Sequence, residues 1–151
     1  MHPQGAEPHH YDEPVDPDLD PAHLVVVLAV SLGGGAGAAA RFAAYRLTPE
    51  VWATLAVNLA GCALIGVLVV LTTEVWQAHP LIRPFLGTGV LGGFTTFSTY
   101  ALDTHGLWVA GDRAIASGYL VGTLLGCVAA TAAAVVLSRT LVRTRVEGRR
   151  P

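Results

Sequence analysis

Gly87-Thr-Gly-Val-Leu-Gly-Gly-Phe-Thr-Thr-Phe-Ser-Thr-Tyr100 is the stretch that decides how this chain folds. It lies in an apolar run from Leu81 to about Asp103, long enough to cross a bilayer but poorly suited to an unbroken helix. Each glycine of the Gly92-Gly93 pair costs a helix interior roughly 1 kcal/mol against alanine. Hydroxyl-bearing side chains then crowd together at Thr95, Thr96, Ser98, Thr99 and Tyr100. In lipid such a density of polar groups is tolerated only where protein or a wet path supplies partners. A transmembrane helix that unwinds there frees carbonyls able to ligate a small cation. The alternative is a glycine kink whose hydroxyls bond back to their own helix. Residue types alone leave both readings open.

Working outward, the rest of the chain has the layout of a membrane protein. Charged residues make up 13% of it, about half the share of a soluble domain. They gather at the two ends. Crossing the hydrocarbon core takes roughly 20 apolar residues as a helix, and four runs qualify: 24–45, 52–73, 81–103 and 114–137. The expected fold is therefore an all-α membrane protein of four transmembrane helices, with a broken third helix as the favoured reading over a kinked one. These spans form one transmembrane domain over residues 23–138 and leave no room for a soluble catalytic domain. Short loops at 46–51, 74–80 and 104–113 force neighbouring helices to run antiparallel.

The ends carry the charge. Residues 1–22 hold six of the eleven acids, repeated prolines and no apolar periodicity, which reads as a disordered acidic tail. It lacks the basic start of a secretory signal. His2, His9 and His10 fall within it, and a solvated tail is the favoured reading over a metal site. Residues 139–151 form a basic tail with Arg139, Arg143, Arg145, Arg149 and Arg150. Counting Arg83 with them, one side of the membrane carries six arginines, while the other has Arg46 and Arg113. That excess places both termini in the cytoplasm.

Other polar groups stand inside the spans. Phe94, Phe97 and Tyr100 recur every three residues and form a slanted aromatic stripe, either ordinary packing or a set of positive ring edges. Asn58 in the second span offers amide donors to an anion or to another helix. In the fourth span Tyr119, Thr123 and Cys127 share one face, beside a Gly118, Gly122, Gly126 ladder that permits close helix contact. Arg41 near the end of the first span either snorkels to headgroups or supplies positive potential at an anion's path. Cys62 and Cys127 have no metal-type spacing and read as small apolar packers.

Taken together, these strings resemble the Fluc/CrcB fluoride channel family. The matching segments are Gly34-Gly-Ala-Gly-Ala-Ala-Ala-Arg41-Phe, Val57-Asn58-Leu-Ala-Gly61 and Gly89-Val-Leu-Gly-Gly-Phe-Thr-Thr-Phe-Ser-Thr-Tyr100, in order across residues 24–138. The resemblance implies an antiparallel dimer of four-helix subunits in the inner membrane, with two narrow fluoride pores along the subunit interface. It implies a structural Na+, not transported, held by the backbone carbonyls of Gly92 and Thr95 from each subunit. It further implies a pore set of Asn58, Phe97, Tyr100, Ser98, Thr99, Tyr119, Thr123 and Arg41. Fluoride holds water strongly, so its passage needs hard donors in a tight path, weak and multiple enough to release it. A negative interior drives the anion out at about 2.3 kcal/mol per 100 mV.

Two features set this chain apart within that resemblance. Tyr100 stands where the family usually has phenylalanine, so its hydroxyl is expected to donate to fluoride or to narrow and impair one pore. The arginine excess favours one orientation, which points to an oppositely oriented paralogous partner, with a dual-topology homodimer as the alternative. A small multidrug exchanger is the rival four-helix reading, but it needs a membrane-embedded acid, and residues 24–45 contain no Asp or Glu. A membrane enzyme would need clustered histidines, acids or a nucleophile with a base, whereas His23, His79 and His105 all fall at span edges.

Overall fold

The computed structural model describes residues 21–47, 51–75 and 79–147, whose regular structure is all helical, with no strand among them. Helix α1 is Pro21–Leu47. Helix α2 is Val51–Val70, prolonged by a wider, π-wound turn at Leu71–Val75. The third apolar run forms two helices. Its first part, α3, is π-wound over Arg83–Leu91 and closes with the turn Gly92–Phe94. Its second part, α4, is Ser98–Val109. A turn at Gly111, with φ of 95°, leads into α5, Arg113–Glu147.

Three helices, Pro21–Leu47, Val51–Val75 and Arg113–Thr144, are long and apolar enough to cross a membrane by themselves. The third apolar run reaches a comparable length only when α3 and α4 are taken together. The surface is that of a molecule dissolved in lipid. Leu28, Leu32, Phe42, Leu124 and Val128 are all more than half exposed, whereas the buried apolar core reduces to residues such as Ala53, Val57, Val70, Leu91 and Ala116. Water would not tolerate so continuous an apolar coat; hydrocarbon does.

Glycines set the helix contacts. A Cβ on Gly89 would stand 2.9 Å from the Val30 carbonyl, and one on Gly37 would collide with the Val90 carbonyl and lie 2.8 Å from the Phe94 nitrogen. Because rising numbers on α1 meet rising numbers on α3, those two helices run parallel with their backbones in contact. In the same way Gly126 faces Leu59 and Gly66 faces Thr131, so α2 and α5 run parallel. Small residues let backbones approach closely where lipid offers no hydrophobic drive for association.

Several boundaries differ from those read along the chain. The described part of helix α1 starts at Pro21, so Pro21 and Ala22 of the expected tail are helical. Helix α4 runs on to Val109, which shrinks the expected 104–113 loop to a tight turn. The largest change is in α5, which continues past Leu137 through most of the basic tail to Glu147. Ser138 to Glu147 contains neither glycine nor proline, and arginine is a good helix former. Its 35 residues span about 52 Å, well beyond a core of about 30 Å. Arg139 on this extension pairs with Glu74 at 2.7 Å. The remaining acidic tail, with His2, His9 and His10, and the terminal Arg149 and Arg150 lie outside the described residues.

Candidate functional site

The polar centre of the molecule is the gap between α3 and α4. Thr95 leaves the helical region, with φ −77° and ψ 160°, and regular helix resumes at Ser98. The interruption was expected within Gly92 to Thr96, and it falls at Thr95. Both glycines are still helical, Gly92 at φ −65° and ψ −38°. Gly93 serves contact: a Cβ there would collide with the Gly34 carbonyl of α1. The chain departs from the helix two residues later, where hydroxyls and other helices can receive it.

Two side chains from other helices hold this gap. The amide of Asn58 on α2 acts as a substitute peptide. Its Nδ2 donates to the Thr96 carbonyl at 2.9 Å, and its Oδ1 accepts from the Thr96 N–H at 2.9 Å. In an unbroken helix that N–H would bond to the Gly92 carbonyl. Arg41 on α1 donates through Nη1 to the Thr95 carbonyl at 2.8 Å. Both partners are therefore engaged with main chain. The Thr95 hydroxyl bonds back to the Leu91 carbonyl at 3.0 Å, while the Thr96 hydroxyl donates to Thr99 Oγ1 at 3.1 Å and accepts from the Thr99 N–H at 3.2 Å. Ser98 Oγ lies 3.3 Å from Thr96 Oγ1. Gly61 of α2 faces the Thr95 side chain so closely that a Cβ would collide with it.

The carbonyls of Gly92 and Thr95 differ in state. Asn58 draws the Thr96 N–H away from Gly92 O, and Gly92 is exposed with only the Gly87 carbonyl as close as 4.0 Å to a hypothetical Cβ. Thr95 O already accepts from a guanidinium, although a carbonyl has a second lone pair. Two neutral, hard oxygens per chain suit a small hard cation, with Arg41 opposing it at one of them. Among the described residues no cluster of three His, Cys, Asp or Glu could hold a metal instead.

A second group extends from the gap along α4 and α5. The Phe97 ring is 78% exposed. Its centroid is 5.7 Å from that of Tyr100, which in turn is 5.6 Å from Tyr119. Trp52 meets the Tyr119 ring edge-on at 6.3 Å. The Tyr100 hydroxyl, expected to face an anion path, donates instead to the Leu120 carbonyl of α5 at 2.6 Å. Tyr119 Oη lies 3.4 Å from both the Val51 carbonyl and Asp103 Oδ2. Thr123 is buried, and its Oγ1 has no hydrogen-bond partner. It borders a groove of about 400 Å³ between α2 and α5, lined also by Trp52, Leu59, Gly118, Tyr119 and Gly122. Of the expected glycine ladder, only Gly126 meets another helix; Gly118 and Gly122 face open space.

All the expected site residues thus fall into two adjoining groups, Arg41, Asn58, Gly92, Thr95, Ser98 and Thr99 at the gap and Phe97, Tyr100, Tyr119 and Thr123 beside it. Sequence reading named Thr96 only among the crowded hydroxyls and missed its main-chain pairing with Asn58, as it missed Asp103 as a neighbour of Tyr119. The signal for Asp103 was present, since an acid within a span needs a partner.

Comparison with known proteins gives a consistent result. The family described as CrcB-like protein, Camphor Resistance (CrcB), matches residues 28–135. Fluoride-specific ion channel FluC 2 of Nocardia farcinica is 51% identical over 118 residues, covering 75% of this chain and 82% of that protein. FluC 1 of Streptomyces coelicolor is 49% identical over 125 residues, with 80% and 81% covered. FluC of Paracoccus denitrificans is 46% identical over 119 residues, with 76% and 94% covered.

Proposed function

The chain belongs to the CrcB-like family, and from that membership we infer that it is a fluoride-specific ion channel, a multi-pass membrane protein through which fluoride passes down its gradient. At the level of residues, the proposed path runs along the outward face beside the gap, where the exposed Phe97 ring, Ser98 and Thr99 adjoin the Thr123 groove. Two antiparallel copies, or this chain with an oppositely oriented paralogue, close that open face between them. Gly118 and Gly122 with nothing against them, the uncovered Phe97 ring and the orphaned Thr123 hydroxyl support this reading. Six arginines against two support termini in the cytoplasm.

One observation carries the residue-level proposal: the third crossing is interrupted at Thr95, and Asn58 and Arg41 hold it so. A bound Na+ would add a fixed positive charge at the Gly92 and Thr95 carbonyls and link the copies that share it. The chain's own part is different. Asn58 keeps the main chain of Thr96 satisfied out of helical register, which lets Phe97 and Ser98 turn outward. Ring edges and hydroxyls along the path then replace lost hydration through weak, multiple contacts that can release the ion. In this reading the Tyr100 hydroxyl lies outside the path, tied to Leu120.

Anion efflux from proteoliposomes of the purified chain tests the proposal. Fluoride is expected to leave in preference to chloride, and replacing Na+ by a large organic cation to reduce that flux. Equal fluoride and chloride efflux overturns the channel assignment. Robust fluoride flux from this chain expressed alone rejects an obligate paralogous partner.

A further inference from the structure

A second polar feature, remote from the gap, lies where α2 ends and α3 begins. Arg83 donates to Thr72 twice, from Nε to Oγ1 at 3.1 Å and from Nη2 to the carbonyl at 3.1 Å. One edge of the guanidinium is thereby fixed. Its outer edge, with Nη1, has no partner among the described residues, and the side chain opens into a groove of about 390 Å³. The groove wall on α2 is Ile65, Leu68, Val69 and Thr72, spaced i, i+3, i+4, i+7 along one face for roughly 10 Å. On α3 it is Gly87 and Thr88, about one wide turn beyond Arg83. Gly87 has no side chain to fill the space, and Leu68 Cδ2 would lie 3.6 Å from a Cβ there.

The groove therefore has an apolar length directed into the hydrocarbon and a cationic, hydroxyl-bearing end at the bundle's rim. Glu74, the neighbouring acid, is paired with Arg139 and does not neutralise Arg83. We propose that this groove is a site for one anionic phospholipid, its phosphate on the outer edge of Arg83 beside Thr88 and an acyl chain along Ile65, Leu68 and Val69. Charge complementarity selects the occupant: a guanidinium forms its strongest hydrogen bonds with phosphate or carboxylate oxygens, and basic pockets between helices at the membrane surface hold anionic headgroups. A zwitterionic lipid would fill the apolar part but bring a second cation to Arg83.

Native mass spectrometry of the purified full chain, titrated with phosphatidylglycerol and with phosphatidylcholine, reads the preference. Wild type is expected to retain phosphatidylglycerol at least about five-fold better, the equivalent of ~1 kcal/mol for one basic residue at an anionic headgroup. Arg83→Gln is expected to bring the two lipids within two-fold. Gly87→Leu, which keeps the charge and fills the groove, is expected to lose retention of both. Arg113→Gln, at the opposite end of α5, keeps the wild-type preference. Fluoride efflux of each variant confirms folding. The proposal is overturned by equal retention in wild type, by an Arg83→Gln variant that still prefers phosphatidylglycerol, or by Gly87→Leu binding lipid as wild type does. It is equally overturned if soluble glycerol phosphate binds with the same Arg83 dependence, since the occupant would then be a free phosphate.

Discussion

Replacing Asn58 separates bracing of the gap from every other feature of the fold. In Asn58→Ala the Thr96 N–H and carbonyl both lose their partner at once, each bonded at 2.9 Å in the native chain. Leaving a buried donor or acceptor unsatisfied costs about 1–3 kcal/mol, so the two together cost about 2–6 kcal/mol if the gap keeps its shape. The chain has a cheaper route. Rotating Thr95 back into helix returns the Thr96 N–H to the Gly92 carbonyl, at the expense of the outward turn of Phe97 and Ser98. Either outcome removes the native gap, while the α1–α3 and α2–α5 contacts, made by glycines elsewhere, survive. The expected result is a variant that purifies and folds like wild type but whose fluoride efflux from proteoliposomes falls by at least about 100-fold, equivalent to roughly 2.7 kcal/mol. Hydrogen exchange at Thr96 should change with it. Wild-type flux combined with wild-type protection at Thr96 would refute the reasoning, because the amide would then hold nothing that matters.

Other substitutions probe the neighbouring contacts. Arg41→Gln removes a charge-assisted bond to the Thr95 carbonyl, worth about 1.5–3 kcal/mol, and should lower fluoride flux at least ten-fold in the same liposome assay, with Arg41→Lys recovering part of it. Tyr100→Phe deletes a hydroxyl engaged with the Leu120 carbonyl; fluoride flux should stay within two-fold of wild type, and a large rise would restore the idea that this hydroxyl obstructs a pore. Gly37→Ala drives a methyl into the Val90 carbonyl and the Phe94 nitrogen, main-chain atoms that cannot step aside. It should destabilise by about 1–3 kcal/mol or more, visible as early loss of the monodisperse peak on heating. Gly35→Ala has nothing within 4 Å and should be neutral or gain up to about 1 kcal/mol of helix propensity.

The contrast between Gly35 and Gly37 shows where sequence reading ends. Both are glycines in one run, Gly33 to Gly37, and nothing local distinguishes them; the difference is which side of α1 meets α3. Gly92 and Gly93 pose the same problem. Low helix propensity placed the interruption somewhere from Gly92 to Thr96, but did not show that Gly93 would stay helical in contact with Gly34 and the departure fall at Thr95. Asn58 and Arg41 were recognisable as polar groups needing partners inside lipid. That those partners are the main chains of Thr96 and Thr95, 38 and 54 residues away, was not recognisable, because hydrogen bonds between helices depend on rotation and register that no single span contains.

Read as a string, the chain determined that it is an all-helical, multi-pass membrane protein, and that its third apolar run is too rich in glycine and hydroxyls to be an ordinary helix. Those properties follow from local composition, since hydrocarbon judges each segment by its own length and polarity. The place of the interruption, the side chains that hold it and the redirection of the Tyr100 hydroxyl to Leu120 were decided by tertiary structure. They depend on backbones brought together through glycine faces, which fix the few positions where a polar group in lipid can find its partner.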